Sequence, residues 1–174
     1  MRAEILPDLR MSNPPEDMDA HTLESLSQLC HAQAQECYWL RAAMNKYKDS
    51  TVGRLAASVS DLYDSAGEEA VHSEAISSAW LHYMSAKQHH FAAVAQYRMS
   101  LDCLEKKKYG EEVARLKDAL ACAVGGLQDA RNGSSLNKSV ADDLNTLKKK
   151  VEEVLKGAER DNDMIYLSKT EHPF

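Results

Sequence analysis

Glycine and proline are scarce in this sequence, 7 and 4 residues of 174, and the prolines all lie near the ends, at 7, 14, 15 and 173. The middle is dominated by Ala, Leu, Glu, Lys and Gln, which lose little on entering a helix, so the fold class expected is all-α. No apolar run approaches the roughly 20 residues needed to span a bilayer, and no signal peptide opens the chain. The four cysteines, Cys30, Cys37, Cys103 and Cys122, lack metal-ligand spacing. Cys30 and Cys37 lie two helical turns apart, roughly 10 Å along an axis, beyond disulfide reach. All four are therefore expected to be small buried hydrophobes in a reducing, cytoplasmic setting. The sequons beginning at Asn132 and Asn137 would then meet no glycosylating compartment.

Uncompensated positive charge is also missing. The net charge is -6, and the runs Lys106-Lys107-Lys108 and Lys148-Lys149-Lys150 are flanked by acids, so they read as solvated helix faces. Nucleic-acid binding, which needs a basic face to displace counterions, is not expected.

Catalytic and cofactor motifs are equally sparse. Gly125-Gly126 lies inside a helical pattern and is no phosphate loop. Glu69-x-x-His72 has the spacing of half a di-iron site, but a bundle site needs a second copy and two further glutamates, so no metal is expected. His82, His89 and His90 read as exposed or hydrogen-bonded helix histidines. The expectation is a non-enzyme without cofactors.

What is present is helical periodicity. Residues 1–16, with Pro7, Pro14 and Pro15, form an extended lead-in. A first helix over about 17–47 carries the stripe Leu23, Leu26, Cys30, Cys37, Leu40, Met44 and Tyr47. Asp49 or Ser50 caps a second, with Val52, Leu55, Val59, Leu62 and Ala66, ending near Gly67. After a joint at 73–78, a third helix to about Lys107 carries Trp80, Met84, Phe91, Val94, Leu101 and Leu104. A fourth, Tyr109 to about Ala130, carries Val113, Leu116, Leu120, Ala123 and Leu127. A polar loop over 131–138 leads to a fifth with Val140, Leu144, Leu147, Val151, Val154 and Ala158, opened by Ser139 and Asp142 in a near capping box. The helical core is set at 17–164, with a tail at 165–174. Long antiparallel helices on short turns predict a bundle or solenoid-like stack, its third and fourth helices resembling a tetratricopeptide hairpin without a 34-residue repeat.

One pattern departs from simple amphipathicity. On a helical wheel Tyr38 and Trp39 both leave the first helix's stripe, so at least one ring is a candidate for a surface groove.

Three runs carry a family resemblance: Ala32-Gln33-Ala34-Gln35-Glu36-Cys37, Lys108-Tyr109-Gly110-Glu111-Glu112-Val113-Ala114-Arg115-Leu116, and Asp161-Asn162-Asp163-Met164-Ile165-Tyr166. In this order they resemble the Bro domain of ALIX and PalA type scaffolds. The lead-in Leu6-Pro7-Asp8-Leu9-Arg10, the run Pro14-Pro15-Glu16-Asp17-Met18, and Ile76-Ser77-Ser78 are most similar to the fungal PalA branch. The resemblance covers nearly the whole chain but only part of a Bro domain.

It implies a tetratricopeptide-like helical core that binds the C-terminal amphipathic helix of an ESCRT-III subunit, at positions falling on Tyr38, Thr51 and Leu55. Thr51 stands where the family usually has an apolar residue. Tyr166 matches a phosphorylation-dependent docking tyrosine. The PalA branch implies ambient-pH signalling, with a protease and a transcription factor engaged through regions outside this chain, and recruitment to endosomes as a peripheral membrane protein at most. Two alternatives accompany this reading: a general multivesicular-body sorting adaptor, and a structural helical bundle that buries Tyr38 and Leu55.

Overall fold

A computed structural model describes residues 18–132 and 138–166, with side chains through Met164. The lead-in 1–16 and the tail from Leu167 onward lie outside the described residues. Five α-helices follow in order: α1 Ala20–Met44, α2 Asp49–Ala70, α3 Ser78–Glu105, α4 Tyr109–Asn132 and α5 Lys138–Asp161, then a π-helical turn at Asn162–Tyr166. Each helix packs against its neighbour in sequence, and α5 also reaches α3, which becomes the central element.

The termini have local causes. Asp19 caps α1, its Oδ2 accepting from the His21 backbone N–H at 3.0 Å. The α1–α2 and α3–α4 turns use one device. Tyr47 N–H donates to Ala42 O at 3.1 Å and Lys108 N–H to Cys103 O at 2.9 Å, with Lys46 (φ 54°) and Lys107 (φ 58°) in the left-handed region. Both are Schellman closures with lysine where glycine is usual. The N-cap of α2 is Lys48, which makes no side-chain cap, so neither Asp49 nor Ser50 caps it. Asp49 instead ties the first turn of α2 to α3 through Arg98 Nη1, 2.8 Å away. Ser139 lies inside α5, which begins at Lys138, so the expected cap falls within the helix.

The largest departure from expectation is α1. Its apolar stripe faces solvent: Leu23, Leu26, Leu40, Met44 and Tyr47 are exposed, as are Cys30 and Cys37. The buried face is Thr22, Ser25, Leu29, Ala32 and Ala42. Small side chains let α1 approach α2 closely, and the hydroxyls are satisfied: Ser25 Oγ donates to Ala66 O at 2.8 Å, and Thr22 Oγ1 meets Ser73 Oγ at 2.6 Å. Of the four cysteines only Cys103 is buried, with Cys122 half-buried, which corrects the expectation for Cys30 and Cys37.

The main core joins α1, α2 and α3 through Leu29, Val59, Tyr63, Met84 and Phe91. Two further clusters join α3, α4 and α5, one around Ala123, Leu127 and Leu144 and one around Leu116, Ala119 and Val151. The α2, α4 and α5 stripes are buried or half-buried as their periodicity requires, whereas Trp80 and Leu104 of α3 are exposed. Gly126 explains the double glycine of α4: a Cβ there would lie 2.8 Å from His89 Cβ, so α3 and α4 touch at this point.

Candidate partner-binding site

Tyr38 and Trp39 are adjacent on α1 and part company in space. Trp39 turns inward and meets Phe91 edge-on, ring centroids 5.2 Å apart. Tyr38 remains 65% exposed. It forms one wall of a groove of about 490 Å³ between α1 and the start of α2, lined by Gln35, Tyr38, Arg41, Ala42, Tyr47 and Leu55. The Schellman turn reverses the chain, and Tyr47 at the turn and Leu55 of α2 line the same groove as Tyr38.

The structure thus joins two of the three expected positions, Tyr38 and Leu55. Thr51 is half-buried one turn before Leu55 on α2 but is not among the lining residues. Tyr166 closes the terminal π-helical turn, and its side chain lies outside the described residues. Sequence reasoning missed Gln35 and Arg41, although both stand three residues from Tyr38 and so share its helix face. Tyr47 was placed on the apolar stripe and instead lines the groove.

Other candidates resolve as follows. Glu69 Oε2 lies 2.8 Å from His21 Nδ1, a contact that raises the His21 pKa, and the His21 and His72 rings lie 5.2 Å apart. Among the described residues no group of three His, Cys, Asp or Glu side chains is arranged to hold a metal. His89 Nδ1 contacts Ser85 O at 3.0 Å and Asp129 Oδ2 at 3.2 Å. His90, expected to be exposed or hydrogen-bonded, is half-buried. It packs against Phe91 at 5.1 Å, and burial, helped by the Lys87 charge, lowers its pKa to about 4. Lys106, Lys108 and Lys148 pair with Asp102, Glu111 and Glu152 at 2.6 to 2.7 Å, while Lys150 lies 5.1 Å from the Tyr97 ring centroid. No helix among the described residues is long and apolar enough to cross a membrane.

The BRO1-like domain family profile matches residues 3–172 of the chain. The chain belongs to the BRO1-like domain family. Over 167 residues, 96% of this chain, it is 64% identical to the pH-response regulator protein palA/RIM20 of Pyricularia oryzae, and it covers 20% of that protein. The pH-response regulator protein palA/prr-1 of Neurospora crassa is 60% identical over 167 residues, again 96% of this chain and 19% of the relative. The chain therefore spans about a fifth of the length of these curated relatives. Among solved structures, the ALIX BRO1 domain in its complex with CHMP4C superposes with TM-score 0.82 at 26% identity, covering 92% of this chain and 43% of that one. A Bro1 domain described as a basis for endosomal targeting shares the fold, with TM-score 0.80 at 20% identity over 97% of this chain and 47% of that one. The BRO1-like fold thus accounts for the helical stack that holds the Tyr38–Leu55 groove.

Proposed function

We propose that this chain is a non-catalytic protein-binding module whose α1–α2 groove receives the C-terminal amphipathic helix of an ESCRT-III subunit. The observation that carries the reading is the convergence of Tyr38 and Leu55, from different helices, on one open apolar groove. Such a groove suits a helix presenting apolar side chains at i, i+3, i+4 and i+7. The ALIX BRO1 domain, a structural relative, occurs in complex with CHMP4C, and pH-response regulators are sequence relatives. On this reading the chain serves a scaffold in ambient-pH signalling that is recruited to endosomes. The protease and transcription factor of such a pathway would engage regions outside it. The purely structural bundle requires Tyr38 to be buried, and Tyr38 is 65% exposed.

The test is calorimetric titration of the protein with a peptide of the CHMP4C C-terminal helix, beside Leu55→Asp. Saturable binding removed by the substitution supports the groove, because an aspartate there would bury an unpaired charge. A folded wild-type protein that binds no such helix overturns the reading.

A further inference from the structure

A second groove, of about 310 Å³, lies between the C-terminal part of α2 and the N-terminal part of α3 and shares no lining residue with the Tyr38–Leu55 groove. Asp64 in its wall follows Leu55 by roughly two and a half helical turns, so the two grooves open on opposite flanks of α2. Val71, 68% exposed, and Leu81 give it apolar surface. Three carboxylates line it, Asp64, Glu68 and Asp129, and neither lysine nor arginine does. Asp129 is fixed by Ser85 Oγ at 2.8 Å and His89 Nδ1 at 3.2 Å. Asp64 and Glu68 are exposed and form no ion pair among the described residues. The surrounding sequence has the same sign: from Leu55 to Ala86 it holds Asp61, Asp64, Glu68, Glu69 and Glu74 and no lysine or arginine. Gly67 keeps the groove open. It lies inside α2, where alanine is more favourable, yet a Cβ there would meet nothing within 4 Å, so no close approach of helices demands it as one does at Gly126. Because Gly67 is itself part of the wall, a side chain at this position would stand in the groove.

We infer that the α2–α3 groove is a second docking site, and that its occupant is a basic segment of a partner protein in which an arginine stands beside a large apolar side chain. The volume is at the small end of ligand pockets, which run from about 300 to 1,000 Å³, so the groove takes one or two side chains and not a whole helix. The apolar side chain lies against Val71 and Leu81. The cation is drawn by the carboxylates, and arginine suits them because its planar fork pairs with two carboxylate oxygens at once and is a common anchor in interface pockets. An acidic segment is rejected by the same groups, because like charges brought together at an interface are strongly disfavoured. Since the two grooves lie on opposite flanks of α2, the module joins two partners at once, whatever fills the groove between α1 and α2.

The experiment titrates the nitrogen-15-labelled full chain with a short synthetic peptide carrying Arg-Leu pairs in a Gly/Ser background, beside a counterpart with Glu-Leu pairs. Two-dimensional NMR reads even weak binding and locates it. The expected result is amide shifts on both walls, around residues 64–71 and 81–85, with the arginine peptide bound about fivefold or more tighter than the glutamate one. Gly67→Leu fills the groove without changing the charge and abolishes these shifts, whereas Gly67→Ala, too small to fill it, retains them. The double variant Asp64→Asn, Glu68→Gln weakens binding by about fivefold, and Leu55→Asp, on the opposite flank, leaves it unchanged. Circular dichroism checks that each variant is folded.

No shift in the folded wild type, or equal binding of the glutamate peptide, overturns the proposal. Shifts that survive Gly67→Leu overturn it as well, because the arginines then meet the acidic surface in general and not the groove. Binding lost in Leu55→Asp but kept in Gly67→Leu puts the peptide in the groove between α1 and α2, and the second site fails while the first stands.

Discussion

Glu36 Oε1 lies 2.6 Å from Lys87 Nζ, joining α1 to α3 in the half-buried centre of the stack. The same oxygen accepts the Tyr63 hydroxyl of α2 at 2.5 Å. Lys87 also stands 5.3 Å from the Phe91 ring centroid and 5.7 Å from that of Tyr63. One carboxylate thus organises a cation, a phenol and two aromatic faces from three helices. Burial first, and then the bond to Glu36, push the Tyr63 hydroxyl far above the usual tyrosine range.

Removing Glu36 strands both partners. Glu36→Ala is expected to destabilise the fold by about 2 to 3 kcal/mol, because it leaves a largely enclosed ammonium without its counter-charge. Lys87→Met, which keeps the stem packed on the rings, should cost less. Urea denaturation midpoints of the two variants decide the order, and an equal or larger loss for Lys87→Met would contradict it.

His90 sets an acid limit. Its folded pKa, about 4, lies below the usual 6.5, so the unfolded chain binds the proton more readily. Burial is the main cause, the Lys87 charge adds to it, and Asp143 and Glu36 oppose it. Stability contributed by neutral His90 is full above pH 6.5 and is lost as pH falls toward 4, by about 3 kcal/mol in all. His90→Gln should flatten the stability profile across that window. An unchanged slope in denaturation series from pH 4 to 7 would refute the assignment.

Two glycines should respond in opposite directions to alanine. At Gly126 a Cβ would meet His89 Cβ at 2.8 Å and Leu144 Cδ1 at 3.0 Å, while at Gly157 nothing lies within 4 Å. Gly126→Ala should destabilise by about 1 to 3 kcal/mol through overpacking, despite the better helix propensity of alanine. Gly157→Ala should stabilise by up to about 1 kcal/mol. Thermal midpoints of the two variants, moving in opposite directions, check this.

Thiol chemistry reports which face of α1 is outward. Cys30 and Cys37 should react within the dead time of a small thiol reagent in native buffer. Cys103, 4% exposed and with its thiol pKa raised by burial, should wait for unfolding. Peptide mapping by mass spectrometry assigns the modified positions, and protection of Cys30 or Cys37 in the isolated chain would contradict the outward stripe.

The left-handed lysines carry a smaller prediction. Lys107 adopts φ 58° at the α3–α4 turn, a conformation that glycine takes without steric cost. Lys107→Gly should raise stability by about 0.5 to 1 kcal/mol, measured by the shift in urea midpoint at constant slope. A loss would mean that the lysine stem contributes more by packing than the turn costs.

Sequence alone determined the helices, because propensity and a 3.6-residue period are local properties that each segment carries by itself. It placed α2, α4 and α5 with their inward stripes, since Val59, Leu116 and Val151 are apolar residues on otherwise polar helices. It also led to the family, and through it to Tyr38 and Leu55, which line one groove. Tertiary structure decided which way α1 faces. Two stripes run along that helix at alternating spacings of three and four, one of large apolar side chains and one of Thr22, Ser25, Leu29 and Ala32. The space beside α2 admits the small set, whose hydroxyls find partners on Ala66 and Ser73. Hydrophobicity ranks the stripes the other way, because it counts transfer from water and not the gap between two backbones. Tyr47 joined the groove for a related reason: a turn that reverses the chain fixes which side chains meet, and that geometry belongs to the assembled helices.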